Sequence, residues 1–196
     1  PLDSQAIALP LLAAIGISSW FLGLRWYGLS KLGLRGGRPL FAGIGFAVLG
    51  WVALFLVRIY VVRIESLGSG FRDFIFFLLF EGFALQLWIF GLVFRAMAMW
   101  RGPLTAAMAS GVLFGMMALL FLQEPSQPHL SSFIYFLVWG LFYGLIRLRT
   151  GSFLGIVIVQ AIQSFSVWVA LKPLVVIEPA QLQALHWITA VLFIIF

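Results

Sequence analysis

The sequence predicts an all-α integral membrane protein, a polytopic bundle of about seven transmembrane helices that forms one domain over residues 1–196. Of its residues, 63% are hydrophobic and only 9% are charged, whereas soluble domains contain about 25% charged residues. The apolar segments are continuous runs near the roughly 20 residues that a helix needs to cross a bilayer. They lack the polar and apolar alternation of barrel strands, so helices are the predicted spanning elements.

Six apolar runs are candidate spans, and a seventh begins near Leu185. The six runs are Ile7–Leu24, Leu40–Val57, Phe74–Phe94, Pro103–Leu122, Phe133–Ile146 and Phe153–Leu171. Turns that contain glycine or proline separate most of them. Because the fifth run is short, we expect Trp139, Tyr143 and the flanking Arg147 and Arg149 to be interfacial anchors.

The basic residues lie singly or in pairs at the ends of the apolar runs, which is the positive-inside pattern. A nucleic-acid-binding protein needs a clustered basic face, so the net charge of +6 does not indicate nucleic acid. Most of the basic residues fall in the first, third and fifth linkers: Arg25, Lys31, Arg35, Arg38, Arg95, Arg101, Arg147 and Arg149. We expect these linkers to be cytoplasmic and the chain to be a multi-pass protein of a bacterial inner membrane. It has no cysteine, which excludes disulfides and thiolate chemistry.

Polar residues inside the spans are the candidate functional positions, since an ionisable group there costs about 2.5–3.5 kcal/mol on insertion scales. Glu81 is the clearest case, and Gln86 follows it on the same run. Gln160 and Ser164 are four residues apart and therefore share a helix face. Hydrogen bonding between helices is a sufficient explanation for the amides and hydroxyls. It does not explain a retained carboxyl group.

The segment from Phe80 to Gln86, followed by Gly102-Pro103 and by the run from Ser110 to Ala118, resembles the CPBP intramembrane protease family. This family is also called the CAAX-processing or Abi family. It carries Glu-Glu-x-x-x-Arg, Phe-x-x-x-His and His-x-x-x-Asn motifs on three successive helices. The resemblance covers residues 74–171, about half of the chain, and implies a CPBP-protease-like core there.

Carried over residue by residue, the resemblance gives a vestigial site at Glu81, Gly82, Gln86, Phe114, Ala118, Gln160 and Ser164. Glu81 matches the first glutamate of the first motif. Gly82 stands at the second glutamate, and Gln86 stands at the arginine. The glutamate and the arginine that the family has at these two positions would form an ion pair four residues apart. Because this chain has lost both of them, no unpaired charge remains at this place in the membrane.

The second motif keeps Phe114 but has Ala118 at the histidine position, and the third has Gln160 and Ser164 in place of histidine and asparagine. In the family, a glutamate and a histidine activate water while the other histidine and the asparagine support the oxyanion. Without an imidazole or an organised oxyanion site, a loss of several orders of magnitude in rate is expected. The resemblance therefore implies a pseudoenzyme rather than an active protease.

Our leading hypothesis is a catalytically inactive protein that acts as a structural or assembly subunit of a larger membrane complex. Its partners would be the lipid bilayer and other integral membrane subunits. Small residues permit close helix approach, and the second run offers such a strip at Gly43 and Gly50. A second strip at Ala106-Ala107 should be occupied within the CPBP-like core.

Two alternatives remain open. One is a residual intramembrane hydrolase that uses Glu81 with water, or a protease with a relocated histidine. The other is a cofactor- or pigment-contacting subunit of an electron-transfer or photosynthetic complex, with His186 as a candidate ligand for (bacterio)chlorophyll or haem, or with bound lipid. His186, next to Trp187, and His129, in a polar loop, are otherwise expected to be interfacial or solvated. No metal site is expected.

Overall fold

The computed structural model describes residues 4–61, 64–66, 70–121, 130–167, 172–173 and 177–195. Within these ranges the chain forms seven long helices and one short one. In order they are α1 (Ser4–Trp26), α2 (Leu29–Leu32), α3 (Arg38–Val61), a continuous helix made of α4 (Phe71–Phe76), π1 (Phe77–Ala84), π2 (Leu87–Val93) and α5 (Phe94–Arg101), then α6 (Pro103–Phe121), α7 (Leu130–Thr150), α8 (Leu154–Phe165) and α9 (Pro179–Ile195). This confirms the predicted all-α bundle.

Four of these helices are long and apolar enough to cross a membrane: Arg38–Val61, Phe74–Arg101, Pro103–Leu120 and Leu130–Thr150. Two shorter apolar helices, α8 and α9, complete the second half of the fold. At one end of the bundle, β1 (Ile64–Ser66) and β2 (Lys172–Pro173) form a short antiparallel ladder. The chain is therefore an integral multi-pass membrane protein.

The fifth predicted span is longer than expected, because α7 extends over 21 residues. The prediction of interfacial anchors is wrong for three of its four residues. Trp139, Tyr143 and Arg147 are only 4%, 1% and 5% exposed, so they point into the bundle, and only Arg149 is exposed. The last helix also begins earlier than expected, at Pro179 rather than near Leu185.

Glycines set the closest helix contacts. A Cβ on Gly111 of α6 would lie 2.8 Å from the Gly140 carbonyl oxygen of α7. One on Gly115 would lie 2.7 Å from the carbonyl oxygen of Phe136. Gly144 meets the backbone of Ala107 in the same way. The backbones of α6 and α7 are thus in direct contact, and the expectation that Ala106-Ala107 packs within the core is confirmed by their burial.

The prediction that Gly43 and Gly50 form a lateral partner surface is wrong, because both are buried inside the bundle. Gly43 packs on the backbone of Gly155 in α8. A Cβ on Gly50 would lie 2.7 Å from the ring of Phe193 and 2.8 Å from that of Phe142. A small-residue strip indicates close packing, but it does not identify whether the partner helix belongs to the same chain.

Candidate functional site

Glu81 lies in π1, within the continuous helix that crosses the bundle. Its carboxyl group interacts with the hydroxyl of Ser164 on α8. Its Oε2 atom is buried and has no hydrogen-bond partner among the residues that the structure describes. The amide of Gln160 donates to Ser164 Oγ at 3.1 Å. The structure therefore brings Glu81, Gln160 and Ser164 together, as their motif positions predict.

At Gly82, π1 packs against the backbone of α8. A Cβ at this position would lie 2.9 Å from the carbonyl oxygen of Val157 and 3.4 Å from its Cγ1 atom. Any side chain at position 82 would therefore have to push α8 away. The space that a second glutamate would need is filled by the backbone of the neighbouring helix.

Gln86 does not join this polar group. It is fully buried, and neither its amide nitrogen nor its oxygen has a hydrogen-bond partner in the described part of the chain. Its neighbours in sequence, Leu85 and Leu87, belong to the hydrophobic core. An unsatisfied buried polar group costs about 1–3 kcal/mol. The burial of the Gln86 amide without partners therefore lowers the stability of the folded bundle.

The second motif contributes only apolar groups. Phe114 is fully buried, and its ring centroid lies 5.9 Å from Phe90, 5.5 Å from Trp139 and 5.4 Å from Tyr143. Ala118 is also fully buried in the same hydrophobic core. Aromatic rings at these separations stabilise the core by edge and offset contacts. These two positions are part of the packing between α6 and α7.

A small cavity of about 40 Å³ opens beside Ser164. It is lined by Leu54, Arg58, Tyr135, Phe136, Trp139, Gln163, Ser164, Val167, Leu185 and His186. A volume of 10–15 Å³ on this scale admits about one water molecule. The cavity therefore has room for a few waters or a small polar group.

His186 faces this cavity from α9 and is only 6% exposed, so its predicted interfacial position is wrong. Its Nδ1 atom lies 3.1 Å from Ser132 Oγ. Its ring stacks on Tyr135, with centroids 4.8 Å apart and planes 13° apart. The adjacent Trp187 is 44% exposed. His129 lies outside the described residues.

Sequence reasoning missed Arg58, which is 2% exposed and lines the same cavity. Its Nη2 donates to the carbonyl oxygen of Val167 at 3.3 Å. In the sequence it looks like a charge that ends the second span. The apolar segment Ile59-Tyr60-Val61, which follows Arg58 and continues the helix, indicates that this arginine lies inside the span.

No group of three histidine, cysteine, aspartate or glutamate side chains that could hold a metal ion occurs in the described ranges. The interpretation of His186 as a haem or chlorophyll ligand stays a prediction. The contacts of the His186 ring with Ser132 and Tyr135 are contacts with protein side chains and do not indicate a cofactor.

The fold and the site together define the class of protein: a polytopic intramembrane helix bundle with a partly buried glutamate, Glu81, between two of its helices. Comparison with protein families identifies which one: the model of the type II CAAX prenyl endopeptidase Rce1-like family matches residues 67–166. The chain belongs to this family, which confirms the CPBP resemblance. No curated protein and no solved structure matches the chain.

Proposed function

We propose that this chain is a catalytically inactive member of the Rce1-like family that serves as a structural or assembly subunit of a larger membrane complex. The single observation that carries the proposal is the contact of Gly82 with the Val157 carbonyl oxygen. Backbone of α8 fills the position of the second motif glutamate, so the lost side chain leaves no vacant space at position 82.

The remaining polar groups support the same conclusion. Hydrolysis requires a positioned general base, which contributes about 10²–10⁴-fold to the rate, and oxyanion donors that contribute about 10²–10³-fold each. Glu81 is the only titratable group of the vestigial site. Gln160 Nε2 is already engaged with Ser164 Oγ, and Ala118 carries no donor. Multiplied together, these losses remove most of a protease's rate enhancement.

A subunit role agrees with the outer surface. The outward side of α3 presents Phe41, Phe46, Leu49, Leu56 and Tyr60, all at least 44% exposed. Such side chains can contact lipid tails or the helices of another subunit equally well.

Cleavage of a prenylated CAAX peptide in detergent tests the inactivity. We expect the wild-type chain and the Glu81→Gln variant to give the same background rate. Glutamine keeps the size and hydrogen bonding of the side chain, so the variant removes the base without emptying its site. Turnover by the wild type that Glu81→Gln abolishes would overturn the proposal.

Purification from native membranes in a mild detergent tests the subunit role. We expect the chain to migrate with other integral membrane proteins, at a mass well above that of its own 21.8 kDa. Mass spectrometry of that fraction would then identify the partners. A stable monomer that carries only detergent and lipid would contradict the subunit role while leaving the inactivity untouched.

One observation favours a second candidate, a residual hydrolase with a relocated histidine. Ser164 touches Glu81 and also lines the cavity that His186 faces. His186 could act on a water held in this cavity, and Glu81 would reach that water only through the Ser164 hydroxyl. In that case Glu81→Gln and His186→Asn should each abolish peptide cleavage, whereas Trp187→Phe, at the exposed neighbour on α9, should not. Equal rates in all three variants would exclude this candidate.

A further inference from the structure

Three arginines, Arg35, Arg95 and Arg147, come together where the first and fifth linkers meet. The linkers are joined by the Phe153 N–H, which donates to the Gly33 carbonyl oxygen at 3.1 Å. The charges of Arg35 and Arg95 both act on the guanidinium of Arg147. Like charges in a partly buried place repel one another more strongly than in water. We refer to these three residues as the arginine cluster.

Arg147 is the fixed member of the cluster. Its Nε donates to the Phe90 carbonyl oxygen at 2.9 Å, and its Nη2 donates to the Leu32 carbonyl oxygen at 3.0 Å. Its guanidinium carbon lies 4.8 Å from the centroid of the Phe94 ring. Both hydrogen-bond acceptors are neutral, so they orient the guanidinium without neutralising its charge. Gly33, with φ of 99°, leaves the room that this group occupies.

Arg35 and Arg95 are the other two members of the cluster, and both act on the charge of Arg147. Arg35 Nε donates to the Ser30 carbonyl oxygen at 3.1 Å, while Ser152 Oγ donates to the backbone carbonyl of Arg35 at 2.9 Å. Arg95 is half-buried, and its Nε atom is buried without a hydrogen-bond partner among the described residues. A guanidinium carries five N–H donors, and Arg35, whose side chain is exposed, has its Nε engaged by Ser30 while its Nη groups make no hydrogen bond to the described residues.

The chain has no carboxylate that could balance the cluster from its own linkers. Its six acidic residues are Asp3, Glu65, Asp73, Glu81, Glu124 and Glu178. None falls in the segments 27–37, 102 and 151–153, which connect the helices at this end. Every formal charge in those segments and in the helix turns beside them is positive. No carboxylate in these segments therefore neutralises the cluster.

We propose that the arginine cluster binds the phosphate group of an anionic phospholipid. Planar guanidinium groups match phosphate oxygens in paired hydrogen bonds. Basic pockets between transmembrane helices on the cytoplasmic side are typical sites for anionic lipid head groups. The positive-inside pattern places this end of the bundle on that side. The site does not depend on the Glu81 group or on the proposed subunit role.

Thermal unfolding of the delipidated chain in a neutral detergent tests this proposal. Phosphatidylglycerol at saturating concentration should raise the melting temperature by about 5 °C, and phosphatidylcholine should not. The Arg35→Gln/Arg95→Gln double variant should lose this increase. Arg25→Gln/Arg101→Gln removes the same net charge from exposed side chains at the same end and should keep it. Native mass spectrometry of the wild type should independently show retained phosphatidylglycerol.

Three outcomes would overturn the proposal. The first is an equal loss of the lipid effect in the two double variants, because the attraction would then be diffuse. The second is an equal response of the wild type to phosphatidylglycerol and phosphatidylcholine. The third is full stabilisation by inorganic phosphate at millimolar concentration, which would identify a soluble phosphate compound as the ligand instead. Retention of helix content in Arg35→Gln/Arg95→Gln, measured by circular dichroism, confirms that the variant is folded.

Discussion

Substituting Gly111 with alanine should separate α6 from α7 and destabilise the whole bundle. The new Cβ would lie 2.8 Å from the Gly140 carbonyl oxygen and 2.8 Å from the Leu141 Cα, whereas ordinary contacts begin at 3.4 Å. Both neighbours are backbone atoms, which no rotamer change can move. The two helices must therefore part by about 0.6 Å, and a radial gap of about 0.5–1 Å already forfeits a quarter to a half of a dispersion contact.

The size of the effect follows from two opposing terms. Overpacking of this kind typically costs about 1–3 kcal/mol. Replacing a helical glycine by alanine returns about 0.8–1 kcal/mol of helix propensity. Gly45→Ala on α3 isolates the second term, because a Cβ at Gly45 meets nothing within 4 Å. The difference between the two variants should thus equal the overpacking cost.

Thermal unfolding of both variants in the same detergent measures this difference. At about 2–4 °C per kcal/mol for a chain of this size, Gly111→Ala should melt roughly 5 °C below Gly45→Ala. The expected order is Gly45→Ala at or above the wild type and Gly111→Ala below both. If the two variants melt together, the direct backbone contact between α6 and α7 is not present in the protein.

Three further substitutions test other contacts. Gly50→Leu should lower the yield of folded chain, since its Cβ would already press on two phenylalanine rings within 2.8 Å. A stable variant that loses only a partner subunit would instead show that Gly50 belongs to a lateral partner surface. Arg147→Gln should destabilise the bundle by about 1–3 kcal/mol because it strips two buried carbonyls of their donor, and an unchanged melting temperature would contradict this. Trp51→Phe removes the 3.0 Å hydrogen bond to Ser166 and should lower the melting temperature by no more than about 2 °C, because a hydrogen bond between membrane helices contributes roughly 0.6 kcal/mol. A larger decrease would contradict this expectation.

The helices were largely predictable from the sequence, because the thickness of the bilayer fixes how long an apolar run must be. One kind of error concerns charged residues that lie inside a helix. The position of Arg147 after an apolar run predicts a terminal charge, whereas its two carbonyl acceptors allow it to be buried before α7 ends at Thr150. A charge count cannot recognise such a case, since the acceptors belong to distant parts of the chain.

The vestigial site was predictable in part. Residues four apart share a helix face, so the pairing of Gln160 with Ser164 followed from spacing, and the family motif order placed Glu81 opposite them. The cavity with Arg58 and His186 was not predictable in this way. It depends on how α3 and α9 pack against α7 and α8, which is a tertiary arrangement that no local pattern specifies.

The geometry at Gly82 also bears on why replacing side chains alone should not restore proteolysis. The close approach that holds Glu81 against Ser164 is the same approach that presses Gly82 on the Val157 carbonyl oxygen. A glutamate at position 82 would therefore displace α8 and with it the partner of Glu81. The proposed inactivity thus resides in the separation of two helix backbones as well as in the missing side chains.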